Sequence, residues 1–450
     1  MPDKLDILVR GGSVVYPHGT VRADVGIADG VIAWVGQDAW SPAARRVIDA
    51  EGLHVLPGVI DPHVHMTAPG SVEEFGREQS PSMAAGGVTT CFHFSQTYGS
   101  YVSLLESERA EVQGNFMVNV GFHAILMKDI HLEELAETTA RHGVRSYKMY
   151  FAAGGAEVYP ETLTVSDGYL YKAFREIARL GSGATAMTHC ENWEIADVLT
   201  EEARAAGRTD PAVWTDSRPD FCEEDGMRRA IFLAGVTGCP LYIVHNAIAN
   251  APRLVATALR DGIAVTGETC PHYLTVHRDH ALAMNAKYNP AVKREQDLEA
   301  LWQGLHDGWI STMGSDHIPM KEIGGADIWD TEGGLPGSGT ILPVLLSEGV
   351  NKGRISIEKV VEVSAANTAR VFGLAPRKGT IAPGADADLV LVDLNKRVTM
   401  TPEALHTDVV LHEGWEFTGW PRLTMVNGEV VMDDGEITGE HGVGRYVRDV

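Results

Sequence analysis

The stretch His54-Val55-Leu56-Pro57-Gly58-Val59-Ile60-Asp61-Pro62-His63-Val64-His65 is an apolar run that ends in two imidazoles. A short apolar run of this kind predicts a buried strand over His54–Ile60. Side chains at i and i+2 of an extended chain point the same way. His63 and His65 can therefore face one metal ion, and imidazole is a common nitrogen ligand for zinc. Two histidines at a strand end can equally be a polar rim, so the rest of the chain has to decide.

Working outward, seven more short apolar runs follow: Val88–Phe94, Phe116–Phe122, Val144–Phe151, Ala184–His189, Leu241–His245, Ala264–Cys270 and Ile310–Ser315. Helix-like segments such as Leu132–His142, Tyr169–Leu180 and Ala251–Asp261 separate them. Strands alternating with helices over roughly 250 residues predict an α/β fold, a parallel (β/α)8 TIM barrel, with its chemistry at the carboxyl ends of the strands. The first fifty residues read differently. Leu5–Arg10, Ser13–Tyr16, Val25–Ala28 and Val31–Gly36 are short strands broken by turns. The end of the chain has the same style, with strands around Ala387–Asp393 and Leu423–Val431, the latter holding the hairpin signal Asn427-Gly428. Neither end has enough strands for a sheet of its own. The two ends are expected to form one small β-sandwich domain from residues 1–52 and 376–450, with the barrel over 53–375.

The strand ends carry the reactive side chains. His63 and His65 follow the first strand, Lys148 lies in the fourth, His189 ends the fifth, His245 the sixth and Asp316 the eighth. Any one of them could be a rim residue, and Asp316 could simply cap a helix. A barrel brings all six to one face, and that joint placement points to a metal site. Lys148 is the unusual member. It shares a strand face with Ser146 and Tyr150, while Tyr147, Met149 and Phe151 take the other. A buried lysine is costly unless paired or modified, and burial favours its neutral, nucleophilic amine. That amine can add carbon dioxide to give a carbamate, an anion able to bridge two cations. The alternative is a lysine paired with Asp316 or Asp61.

Composition sets limits. The chain has 450 residues and a formal charge of -24, from 37 Lys+Arg against 61 Asp+Glu. That balance disfavours nucleic acid or an anionic membrane as a partner. Five cysteines at irregular spacing, with no CxxC, do not read as a disulfide framework. Met1–Asp6 has no apolar leader region, and no stretch approaches the ~20 apolar residues of a membrane span. The expectation is a cytoplasmic enzyme.

With these residues in place, the chain resembles the amidohydrolase superfamily, and within it the cyclic amidohydrolases: hydantoinases, dihydropyrimidinases, allantoinases and dihydroorotases. Gly58–His65, Lys148, His189, His245 and Asp316 carry the resemblance. So do Ala85-Gly86-Gly87-Val88-Thr89-Thr90, Glu268-Thr269-Cys270-Pro271-His272-Tyr273-Leu274, Gly314-Ser315-Asp316-His317 and Lys378–Leu389. The resemblance implies two Zn2+ per chain. His63, His65 and Asp316 would hold one ion, His189 and His245 the other, with carboxylated Lys148 and a hydroxide between them. It implies hydrolysis of a ring amide, with Asp316 as the catalytic proton carrier. It also implies a small-molecule cyclic amide as the substrate and a homotetramer as the assembly.

Departures from the family pattern narrow the ring. Met66-Thr67 follow His65 where dihydroorotases carry an arginine. Ala153 stands five residues beyond Lys148, where dihydropyrimidinases and D-selective hydantoinases carry a tyrosine. Phe92–Ser95 and His245-Asn246-Ala247 also depart from the usual strand ends. The C-terminal half, including Val350–Ser356, is most similar to L-selective hydantoinases. A 5-substituted hydantoin is therefore the expected substrate, with allantoin, a dihydropyrimidine or a cyclic imide as alternatives. A non-catalytic scaffold relative is the remote one, since all six ligand positions are filled. Asn289 and Gly334 are candidate ring contacts through backbone groups, and the loops holding Thr67 and Ala153 are candidate determinants of enantioselectivity.

Overall fold

A computed structural model describes residues 4–37, 43–67, 70–151, 164–181, 183–325 and 327–448. The chain opens with β1 (Leu5–Tyr16), β2 (Gly19–Ala28), β3 (Val31–Gly36), β4 (Ala44–Asp49) and β5 (His54–Pro57). It continues through β6 (Val59–Val64), β7 (Val88–Ser95), β8 (Asn119–Ile125), β9 (Ser146–Phe151), β10 (Thr164–Val165), β11 (Thr185–His189), β12 (Leu241–Ile243), β13 (Val265–Thr269) and β14 (Thr312–Met313). It closes with β15 (Leu389–Thr399), β16 (Glu416–Val426), β17 (Glu429–Asp433) and β18 (Glu436–Ile437).

Two sheets result. Strands β6, β7, β8, β9, β11, β12, β13 and β14 follow one another in chain order as a nearly closed parallel barrel, with β10 added beside β9. Helices fill the crossovers, among them Val72–Ala85, Tyr101–Val112, Asp167–Leu180, Asp220–Thr237, Ala251–Arg260 and Glu295–Asp307. Ser71 and Ser166 cap two of them by accepting the N–H groups of Glu74 and Tyr169. The other sheet is mixed and runs β18-β17-β16-β15-β5-β1-β2-β3, with β4 also paired to β1. Its core joins the two chain ends: Val9, Val14, Val25 and Ile27 pack with Val55, Leu389, Leu391 and Met425.

The expected strand over His54–Ile60 is in fact two strands in two sheets. β5 pairs with β1 and β15, while β6 begins the barrel. The break falls at Gly58, where a Cβ would lie 2.1 Å from Thr89 Oγ1, so only glycine fits. At the N-terminus the opposite occurs. The two expected strands around Gly11-Gly12 form the single strand β1, with a register shift between Val9 and Gly12. Gly11 takes φ 76° there, as a glycine bulge allows. The hairpin at Asn427 (φ 49°) and Gly428 (φ 81°) joins β16 to β17. In the Lys378–Leu389 motif, buried Lys378 donates to Asp388 at 2.5 Å, and Asp388 accepts the Asn427 backbone N–H at 2.7 Å. That motif fastens the turn.

By contacts the chain divides into two compact units, residues 1–92, 108–121 and 338–450, and residues 93–107 and 122–337. All five cysteines are free thiols. No helix among the described residues is long and apolar enough to cross a membrane.

Candidate metal centre

The first ligand pair projects from the end of β6. Asp61, fully buried, accepts the Ser338 hydroxyl at 2.6 Å and the backbone N–H of His63 at 3.1 Å. Those bonds fix the backbone from which His63 and His65 extend, with ring centres 5.4 Å apart. One ligand atom from each of His63, His65 and Asp316 lies within 4.8 Å of the others. Two imidazoles and a carboxylate at that spacing form a donor set for a divalent cation. Asp316 adopts φ 52°, a left-handed backbone that a non-glycine residue rarely takes.

Lys148 sits mid-strand in β9 and is fully buried. Its Nζ has no hydrogen-bond partner among the described residues. It lies 4.8 Å from the centre of the Phe94 ring and 5.1 Å from that of Tyr150. Burial lowers its pKa to about 8, against the opposing pull of the Asp316 and Glu268 charges. No hydrogen bond joins its Nζ to Asp316 or Asp61. An amine held this way has a far larger neutral fraction at physiological pH than an ordinary lysine and is open to modification.

The second ligand pair closes from β11 and β12. His189 Nδ1 and His245 Nε2 are 2.9 Å apart, with the ring planes at 75°. The other His189 nitrogen, Nε2, donates to Glu191 Oε2 at 2.9 Å. Burial lowers the His189 pKa, partly offset by Glu191, which favours the neutral ring that can ligate. His245 takes φ 39°. Its backbone N–H donates to Glu268 Oε1 at 2.9 Å, and the other oxygen of Glu268 accepts the Tyr242 hydroxyl at 2.8 Å.

The expected substrate contacts fare less evenly. Asn289 is buried, and its Oδ1 has no hydrogen-bond partner among the described residues. Its segment is pinned by Trp214 Nε1 donating to the Tyr288 carbonyl at 2.8 Å and by Tyr273 OH donating to the Pro290 carbonyl at 2.6 Å. Gly334 takes φ 92° and donates its N–H to the Lys287 carbonyl at 2.8 Å, so only its carbonyl is left for a ring. Thr67 is exposed. Ala153 and the loop around it lie outside the described residues.

Sequence reasoning passed over Glu191, Glu268 and Ser338. Glu191 was detectable as an acid two residues beyond a ligand histidine. Glu268 was quoted only as part of a motif, and nothing in the sequence links Ser338 to Asp61.

The sequence profile of the Amidohydrolase family matches residues 54–431. A D-hydantoinase of Geobacillus stearothermophilus is 35% identical over 460 residues, covering 98% of this chain and 96% of that protein. An allantoinase of Rubrobacter xylanophilus is 37% identical, covering 98% of this chain and 97% of its own. Among solved structures, the L-hydantoinase (dihydropyrimidinase) from Arthrobacter aurescens superposes with a TM-score of 0.90 at 31% identity, over 98% of this chain and 99% of that one.

Proposed function

Because the chain belongs to the amidohydrolase family, and within it to the cyclic amidohydrolases that cleave ring amides, we propose that it opens a 5-substituted hydantoin at a centre of two zinc ions. In this reading His63, His65 and Asp316 would hold one ion and His189 and His245 the other, with Lys148, carboxylated on Nζ, as a further anionic ligand. The ions, when bound, supply a strong nucleophile from water at neutral pH and polarise the ring carbonyl. Asp316 takes the proton released by the attacking water and delivers it to the ring nitrogen as the C–N bond breaks. An amide nitrogen leaves poorly without that proton. The product is an N-carbamoyl amino acid.

The observation that carries the reading is Lys148: a fully buried amine with no hydrogen-bond partner among the described residues, its pKa lowered by burial to about 8, on the strand between two ligand pairs. Asn289 supports a ring contact, through the side chain as well as the backbone. Its buried carbonyl oxygen is an acceptor suited to a ring N–H. L-selectivity, a homotetramer, a cytoplasmic location, and a barrel over 53–375 with an end domain from 1–52 and 376–450 complete the proposal.

The test is a panel of 5-substituted hydantoins of both hands, allantoin, dihydrouracil, dihydroorotate and succinimide, offered to zinc-loaded protein. Preferred opening of L-hydantoins is the expected result. Preferred opening of allantoin would move the substrate to the ureide branch, and preferred opening of D-hydantoins would reverse the proposed hand.

A further inference from the structure

We propose that Glu191 is a positioning residue for the second ligand pair. Its carboxylate keeps the His189 proton on Nε2, so that Nδ1 is presented as a lone-pair donor. The inference rests on the metal-centre reading above, since it concerns how His189 is prepared to ligate.

Three observations carry it. The first is the bond itself. Glu191 Oε2 stands 2.9 Å from His189 Nε2, with both side chains buried. An ionised carboxylate only accepts, so the proton must lie on Nε2. A neutral imidazole has one N–H, and fixing it on Nε2 leaves Nδ1 with its lone pair. The second is direction. That unprotonated nitrogen is the one 2.9 Å from His245 Nε2. The lone pair therefore points to where the second histidine converges, not into the barrel wall.

The third observation concerns what else Glu191 does. Its other oxygen, Oε1, is buried with no hydrogen-bond partner among the described residues. A carboxylate buried for structural reasons normally engages both oxygens. Here the single hydrogen bond goes to the ligand histidine. The ring plane is also set: Trp193 stacks at 5.7 Å and 20°, and Tyr150 lies at 5.5 Å.

Without Glu191 the Nδ1–H form of His189 becomes accessible. A cation arriving at Nδ1 would then have to displace a proton and reorient the ring. Carboxylates behind metal-bound histidines generally raise metal affinity by about 10- to 100-fold. The expected defect is thus confined to the second ion.

The test uses metal-free full-length protein titrated with Zn2+ against a chelating dye, with Glu191→Leu, Glu191→Gln and His189→Ala alongside wild type. Wild type should bind two ions, and His189→Ala should lose the second. Glu191→Leu should retain the first and weaken the second by about 10- to 100-fold. Glu191→Gln, nearly isosteric, should fold like wild type, show a smaller loss, and carry the test if the leucine variant does not fold. Nitrogen-15 shifts of metal-free protein should report a single Nε2–H form of His189 in wild type and a mixture in the variants. Wild-type affinity for both ions in both Glu191 variants, with an unchanged tautomer, would overturn the proposal while leaving the metal centre standing. Equal ion content in wild type and His189→Ala would overturn the metal reading and the proposal with it.

Discussion

Nζ of Lys148 stands 4.8 Å from the centre of the Phe94 ring, and no described residue accepts a hydrogen bond from it. A bare amine in a barrel interior is a destabilising choice unless the function uses it. Replacing it with alanine removes the anion proposed as a ligand to the ions. Lys148→Ala is expected to lose bound zinc and to fall by about 100-fold or more in ring-opening rate. Metal analysis and turnover on one preparation check this. Two bound ions with full activity would rule out that role.

The same lysine gives a pH signature in protein kept free of metal and carbon dioxide. Its pKa falls from 10.5 to about 8 on folding. Below about pH 8 both folded and unfolded chains carry the proton, and the full burial penalty applies. Between about 8 and 10.5 only the unfolded chain carries it, so stability rises with pH. Above that window the penalty is gone. The whole rise amounts to about 3 kcal/mol. Denaturant melts of wild type and Lys148→Met across this range should converge as pH increases. Parallel curves would contradict the buried-amine account.

Glu268 holds the strained backbone of His245 through its N–H and ties down Tyr242 with its other oxygen. Glu268→Leu leaves two buried donors without that acceptor. The expected cost is about 1–3 kcal/mol per group, together with weaker binding of the second ion. Glu268→Gln keeps an acceptor and should lose less of both. Chemical denaturation and zinc titration read the two effects separately.

Gly226, in the helix Asp220–Thr237, packs against the turn that carries Cys190 and Glu191. A Cβ on it would lie 2.7 Å from the Cys190 carbonyl carbon. That atom is backbone, so it cannot swing aside. Gly226→Ala should destabilise by about 1–3 kcal/mol and displace His189 and Glu191 together. A melt combined with zinc titration would detect it as lost stability plus loss of the second ion.

The barrel and its ligands were legible because their signals are local. An HxH pair at period two, a lysine inside an apolar run, and histidines closing other runs stand out in any linear scan. The ends of the runs were less so. The expected Ile310–Ser315 is a strand only at Thr312–Met313, because strand length depends on what the neighbour pairs with. β4 was not foreseen at all. Its Arg45, Arg46 and Asp49 are exposed, and it lacks the apolar alternation that marks a strand. The break at Gly58 was hidden because both halves are equally apolar, and only the approach of Thr89 separates them. Glu191 and Glu268 were passed over for a related reason. A single acid near a strand end gives no hint of which imidazole or N–H it will meet.

The most direct test of the central claim is hydantoin hydrolysis before and after metal removal. Purified protein carrying about two zinc ions per chain should open a 5-substituted hydantoin, lose the activity on chelation, and regain it on adding zinc with bicarbonate. Hydantoin opening that survives complete metal removal would contradict the account. So would zinc-loaded protein that opens no cyclic amide at all.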